Sequence, residues 1–359
     1  MSQLLEGLRR RLSRSQAPAE NQAPTGIPVD VSRYPGIDEL LVAGDFAGAR
    51  ELVAGVDPHL TDGDLARIDL QLRHHAYRLV SATPEPAAVW PPVTTPSDEP
   101  VDIPADEMTV QAVINGVRDH GYIIVRGLFD ERTCGEFRTM IDTVFEVMND
   151  PEAADPDWFT YLCDTDGNLV SPWFRDVKHW AESTIPVPDS PVMAGAVLQE
   201  FQRAGVPELV RGYLGAPPAL TLEKWNVRRV PPTTGTSWHQ DGAFMGTHLH
   251  TLNLWVTLSD CGQQASGLDM LDMRLDEVVT TGAPGAHFDW DVSPQTVEEI
   301  RGDAEVLSPD FQAGDAVFFD QFLLHRTGVK PRISEVRYAL ESWFFTPWSK
   351  PDRYEGMLV

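Results

Sequence analysis

The sequence predicts one large, mainly β domain with flanking helices, preceded by a helical N-terminal extension. Three observations carry this. The second half of the chain repeats short runs rich in β-branched and aromatic residues, among them Leu222–Arg228, Thr251–Leu258, Gly314–Asp320 and Val336–Phe345, which read as strands. Ile37 to Val56 and Leu65 to Leu79 instead carry apolar residues at helical spacing. Finally, 359 residues of which 42% are hydrophobic suffice for one sizeable core plus an appendage.

From the amino terminus, Leu4, Leu5, Leu8 and Leu12 recur on one helical face beside Arg9, Arg10, Arg11 and Arg14. A frayed or partner-docked terminal helix is preferred here over one lying on a membrane surface. Residues 15 to 35 read as a linker, and Thr83 to Pro104, dense in Pro, Thr and acids, as a second linker or strap. Extension and linkers thus take residues 1–105 and the main domain residues 106–359. Gly121 to Phe129 is the expected opening strand, and Glu131 to Met148 an amphipathic helix that buttresses a sheet. In Thr251–Leu258, Leu252, Leu254, Val256 and Leu258 share a core face, while Asn253 and Trp255 lie on the face expected to line a site. In Leu222–Arg228, Lys224, Asn226 and Arg228 fall together, and an ordinary solvated strand face is favoured over an acid-binding wall.

Charge narrows the partners. Twenty-eight basic against 54 acidic side chains give a net charge of −26, which repels nucleic acid and anionic membranes. Apolar runs fall short of the roughly 18 residues of a membrane span, and the basic start is not followed by a signal-peptide core. Cys134, Cys163 and Cys261 are widely spaced and odd in number, which suits reduced thiols in a cytoplasmic protein.

The chemistry is written in His239-Gln240-Asp241, the distant His325 and Arg337. Two imidazoles and one carboxylate on one face of a metal suit ferrous iron in oxygen-activating enzymes, because the remaining coordination positions stay open for co-substrate and O₂. Along an extended strand residues i and i+2 share a side, so His239 and Asp241 are expected to reach one ion while Gln240 turns away. His325 follows the strand Gly314–Asp320. Among the arginines, Arg337 opens a β-prone run, and its planar fork matches a carboxylate. Arg326, Lys330 and Arg332 fall in or beside a Gly- and Pro-containing turn. A second His-x-Asp, His287 and Asp289, lies in a breaker-rich loop and reads as exposed; His248 and His250 read as rim positions.

These residues carry a resemblance. Trp238–Gly242, Gly314–Asp320 leading into His325, Arg337–Leu340 and the upstream Gly121–Phe129 look like the phytanoyl-CoA dioxygenase family of iron- and 2-oxoglutarate-dependent oxygenases, over roughly residues 106 to 350. The resemblance implies a double-stranded β-helix (jelly roll) fold. It implies Fe(II) held by His239, Asp241 and His325, with 2-oxoglutarate as co-substrate anchored by Arg337 and shared by Thr327. It also implies a dioxygenase that uses O₂ to oxidise, most often hydroxylate, a small-molecule substrate, and we expect a natural-product scaffold. Leu268–Arg274 departs from the family's usual segment, which leaves the substrate pocket open. Trp238, Phe244, Met245 and Trp343 are candidates for the substrate wall, with core packing the competing reading. A metal-dependent lyase or hydrolase without 2-oxoglutarate, and a catalytically silent scaffold, are the rival classes.

Overall fold

The β-branched and aromatic runs become strands of two sheets, the larger mixed and the smaller antiparallel, and the helical periodicities become helices packed around them. The computed structural model describes residues 28–86, 101–150, 155–174, 183–232, 234–328 and 330–359. The strands are β1 (Asp102–Pro104), β2 (Tyr122–Arg126), β3 (Thr184–Pro186), β4 (Ala219–Thr221), β5 (Asn226–Val230), β6 (Trp238–His239) and β7 (Thr251–Thr257). They continue as β8 (Gly267–Leu271), β9 (Asp291–Val292), β10 (Val306–Leu307), β11 (Ala316–Phe319), β12 (His325–Gly328), β13 (Arg337–Phe345) and β14 (Gly356–Leu358). The larger sheet runs β1-β2-β11-β7-β13-β4-β14, with β5 also on β13 and β3 on β5; the smaller runs β10-β8-β12-β6-β9. Among the described strands only β1 and β2 pair in parallel.

Strand β7 shows how the alternation is spent. Leu252, Leu254 and Val256 pack with Phe137, Ile141, Val197 and Phe201 from the helices Glu131–Asn149 and Pro191–Arg203. Trp255, on the other face, joins Val317, Phe319 and Trp343 of the larger sheet and Leu268 and Met270 of the smaller one. Both faces are buried, so a period of two here separates two cores rather than core from water. The second of those cores contains the site.

Among its described residues the N-terminal region forms three α-helices. The expected helical stretch from Ile37 to Val56 is two, Ile37–Ala43 and Phe46–Val56, because Gly44 takes a left-handed φ of 77° and Asp45 then caps the second helix through the Gly48 amide. Helix Asp62–Ser81 starts on a reciprocal cap between Thr61 and Asp64. Its Tyr77 meets Phe345 edge-on at 6.0 Å, in a cluster with Ala219 and Leu358. The extension therefore shares a core with the β4–β14 edge of the larger sheet. Asp102–Pro104, expected inside the second linker, is a strand, because its backbone finds partners along Ile124–Arg126. The helix expected at Leu4–Leu12 lies outside the described residues. Turn residue Gly314, at φ 97°, lies so close to the Phe129 carbonyl that any side chain would collide with it. All three cysteines are buried thiols. Among the described residues no helix is long and apolar enough to cross a membrane.

Candidate metal centre

His239 ends β6 and His325 begins β12, and the two strands place them directly opposite each other. Their ring centroids are 4.3 Å apart. Asp241 completes the group, and ligand atoms of all three residues lie within 4.8 Å of one another, the one such cluster among the described residues. Each imidazole is aimed by its own backbone: Nδ1 of His239 bonds the Ser237 carbonyl at 2.8 Å and Nδ1 of His325 the Leu323 carbonyl at 3.0 Å. With Nδ1 as donor, Nε2 is left bearing the lone pair that a metal needs.

Asp241 arrives differently from the sequence expectation. The strand stops at His239, and Asp241 has right-handed helical angles (φ −64°, ψ −24°) at the start of the short helix Gly242–Met245. A turn, not strand alternation, carries its carboxylate back to the histidines. Gln240 secures that turn: its side-chain amide donates to the carbonyls of Phe322 (2.6 Å) and Glu277 (3.1 Å) and accepts from the Val279 amide (2.8 Å). Gly242 permits the close approach, since a Cβ there would stand 3.0 Å from the Gln321 carbonyl oxygen.

The electrostatics prepare the ligands. Burial, with His325 alongside, pushes His239 down to about 4, so its ring is neutral at physiological pH. Burial works to raise Asp241, but the charges of Lys224, His325 and His239 more than offset it and hold the carboxyl below its ordinary value. Asp241 Oδ1 lies 3.8 Å from His239 Nε2 and 3.7 Å from Lys224 Nζ and has no hydrogen-bond donor. A buried carboxylate oxygen left without a donor between two imidazole nitrogens fits a divalent cation.

One cavity joins these three residues to Arg337, Thr327, Asn253, Trp255 and Trp343. Arg337 is 2% exposed; its Nη1 donates to the carbonyls of Ser266 (3.1 Å) and Gly267 (2.9 Å), while Nε has no partner. Burial lowers it to about 10, so it stays protonated. No carboxylate among the described residues forms an ion pair with it. A buried guanidinium in that state calls for an anionic guest.

Other candidates fall elsewhere. Trp238 packs with Leu271, Val292 and Leu324, and Met245 is buried in the inter-sheet core, so neither lines the cavity. Both are apolar residues beside a ligand whose side chains found a core instead. Phe244 stands beside His239, centroids 6.4 Å apart. The wall at Lys224 and Arg228, expected to face solvent, lines the cavity: Arg228 bonds Glu341 at 2.8 Å, and Asn226 is wholly buried. Arg326 belongs to β12, not to a turn, and pairs with Asp269 at 2.9 Å. His287, Asp289 and His248 are exposed, and His250 stacks on Tyr213. Phe319 and Trp290 were missed. Phe319 was recoverable, since alternation along the expected strand Gly314–Asp320 sets it on one face with Val317; Trp290, in an irregular loop, carried no periodic signal.

Comparison of the sequence with curated proteins gives no match. Among solved structures, the non-heme alpha ketoglutarate dependent carbocyclase SnoK from nogalamycin biosynthesis is similar at 15% identity and a TM-score of 0.45, over 70% of this chain and 98% of that one. The epimerase SnoN in complex with Fe³⁺, alpha ketoglutarate and nogalamycin RO gives 16% and 0.43, over 66% and 83%. EvdO2 from Micromonospora carbonacea var. aurantiaca gives 18% and 0.44, over 70% and 94%. These are distant likenesses. The model of the phytanoyl-CoA dioxygenase family matches residues 117–330, more than half of the sequence, a span that includes His239, Asp241 and His325 and ends before Arg337. The chain belongs to the phytanoyl-CoA dioxygenase family.

Proposed function

We propose that this protein is an Fe(II)- and 2-oxoglutarate-dependent dioxygenase that oxidises a small molecule, with hydroxylation of a natural-product scaffold as the assigned reaction. One observation carries the reading: a two-histidine, one-carboxylate cluster shares a cavity with a buried arginine whose Nε has no hydrogen-bond partner among the described residues. His239, Asp241 and His325 would hold the iron, which when bound supplies the oxygen-activating chemistry. Arg337 grips the far carboxylate of the keto-diacid with its unused donors, Thr327 lies beside it, and Asn253 and Trp255 close the cavity from β7. The buried walls exclude water from that chamber. We assign the two sheets to a double-stranded β-helix, with residues 106–359 as the catalytic domain and 1–105 as extension and linkers. Three buried thiols suit a reducing cytoplasm.

A metal-dependent lyase or hydrolase on the same ligands would have no use for a protonated, buried Arg337. The test is succinate release: protein supplied with Fe(II), 2-oxoglutarate and air forms succinate slowly even without substrate, and Arg337→Met abolishes it. A folded, iron-loaded protein that forms none overturns the reading.

A further inference from the structure

Three aromatic rings and one ammonium crowd His239 and Asp241. Phe288 and Trp290 stack at 3° with centroids 4.9 Å apart. Trp290 stands edge-on to His239 at 5.7 Å and to Phe244 at 5.5 Å. Lys224 Nζ lies 4.3 Å above the Phe244 ring and 3.7 Å from Asp241 Oδ1. These four residues are all partly exposed, whereas the other aromatics around the ligands, Trp255, Phe319 and Trp343, are buried. The partly exposed cluster is therefore the side from which a substrate reaches the metal.

Charge then says what the substrate is. With the metal in place, its two positive charges and that of Arg337 are matched by Asp241 and the two carboxylates of the keto-diacid. Arg228 and Glu341 cancel each other at 2.8 Å. Lys224, whose partner Asp241 is then taken up by the metal, is left with an uncompensated charge at the mouth. An aromatic cluster can also recognise a cation, but Lys224 already occupies the face of Phe244. We propose, resting on the functional reading above, that the substrate is a planar conjugated molecule bearing an anionic group. Its ring lies against Trp290 and Phe244, and its carboxylate or phenolate pairs with Lys224.

The probe is 2-naphthoate, compared with neutral 2-naphthalenemethanol and with non-planar cyclohexanecarboxylate. Each is titrated into protein loaded with Mn(II) and 2-oxoglutarate, and binding is read as paramagnetic broadening of the probe's proton resonances. Naphthoate is expected to broaden and to bind about tenfold more tightly than either comparison compound. Lys224→Met brings naphthoate and the alcohol to equal affinity, Lys224→Arg keeps the difference, and Trp290→Leu removes the advantage over cyclohexanecarboxylate. Equal binding of naphthoate and the alcohol by the wild type, or a preference that survives Lys224→Met, overturns the proposal while the metal site stands. Failure to bind Mn(II), seen before any probe is added, overturns the metal reading and this inference with it.

Discussion

His239 and His325 are a direct cross-strand pair between β6 and β12, with ring centroids 4.3 Å apart. The ladder of the smaller sheet, not a flexible loop, fixes their separation. Each ring is further held by a bond from Nδ1 to a carbonyl two residues earlier in the chain. Such a pair is organised before metal arrives, and its energetics make separate predictions.

The His239 imidazole should stay neutral from neutrality down to about 5. It titrates at about 4 in the folded protein instead of its ordinary 6.5, because burial, with His325 alongside, disfavours the charged ring. Following the His239 ring resonances by NMR as the metal-free protein is acidified checks this. A midpoint near 6.5 would show an ordinary imidazole at position 239.

Replacing Arg337 by Lys should weaken 2-oxoglutarate binding by about tenfold or more, because an ammonium offers a point charge where the buried guanidinium offers a fork. Calorimetry on the Mn(II)-loaded variant measures the loss. Mn(II) stoichiometry should stay unchanged, which separates anchoring from metal binding.

Gln240→Leu should lower stability by about 2–4 kcal/mol, since the Val279 amide and the carbonyls of Phe322 and Glu277 lose their buried partner. Because Gln240 secures the turn that delivers Asp241, metal affinity should fall as well. Denaturant unfolding and a Mn(II) titration on the same variant give both numbers. A loss of stability with unaltered metal affinity would show that Asp241 does not depend on this turn.

The convergence of His239, Asp241 and His325 was legible in the sequence because metal-binding chemistry restricts candidates to few residue types and the strand before His325 was unmistakable. The route to Asp241 was not: strand periodicity put it on the correct side for the wrong reason, since the chain turns helical immediately after His239. Trp238 and Met245 show a second limit, for an apolar residue next to a ligand reads the same whether it lines a cavity or fills a core. The solvated face expected for Lys224, Asn226 and Arg228 failed because Lys224 and Arg228 line a cavity whose other walls, among them His325 and Arg337, lie about a hundred residues away in the chain. Trp290 lies in a loop, where no periodicity announces a contact. The helical extension was visible in its spacing, but its docking against Phe345 and Leu358 is a tertiary fact.

Glu223 sets a pH limit on stability. It is wholly buried, and burial pushes it from 4.5 up to about 7 despite bonds accepted from the Ser171 hydroxyl and the Glu355 amide. Between those values the folded protein keeps a proton that the unfolded chain has released, so stability present below 4.5 is lost as pH rises through about 7. Glu223→Gln should flatten that decline, giving a melting temperature above wild type on the alkaline side. Thermal unfolding across pH decides it, and identical curves for the two proteins would contradict the assignment.

The central claim is that His239, Asp241 and His325 hold one ferrous ion that takes a keto-diacid anchored by Arg337. It is tested most directly by the anaerobic visible spectrum of the protein with Fe(II) and 2-oxoglutarate. The account predicts a metal-to-ligand charge-transfer band in the wild type, and none in well-folded His325→Ala. A folded wild-type protein without the band, or a band of undiminished intensity in His325→Ala, would contradict it.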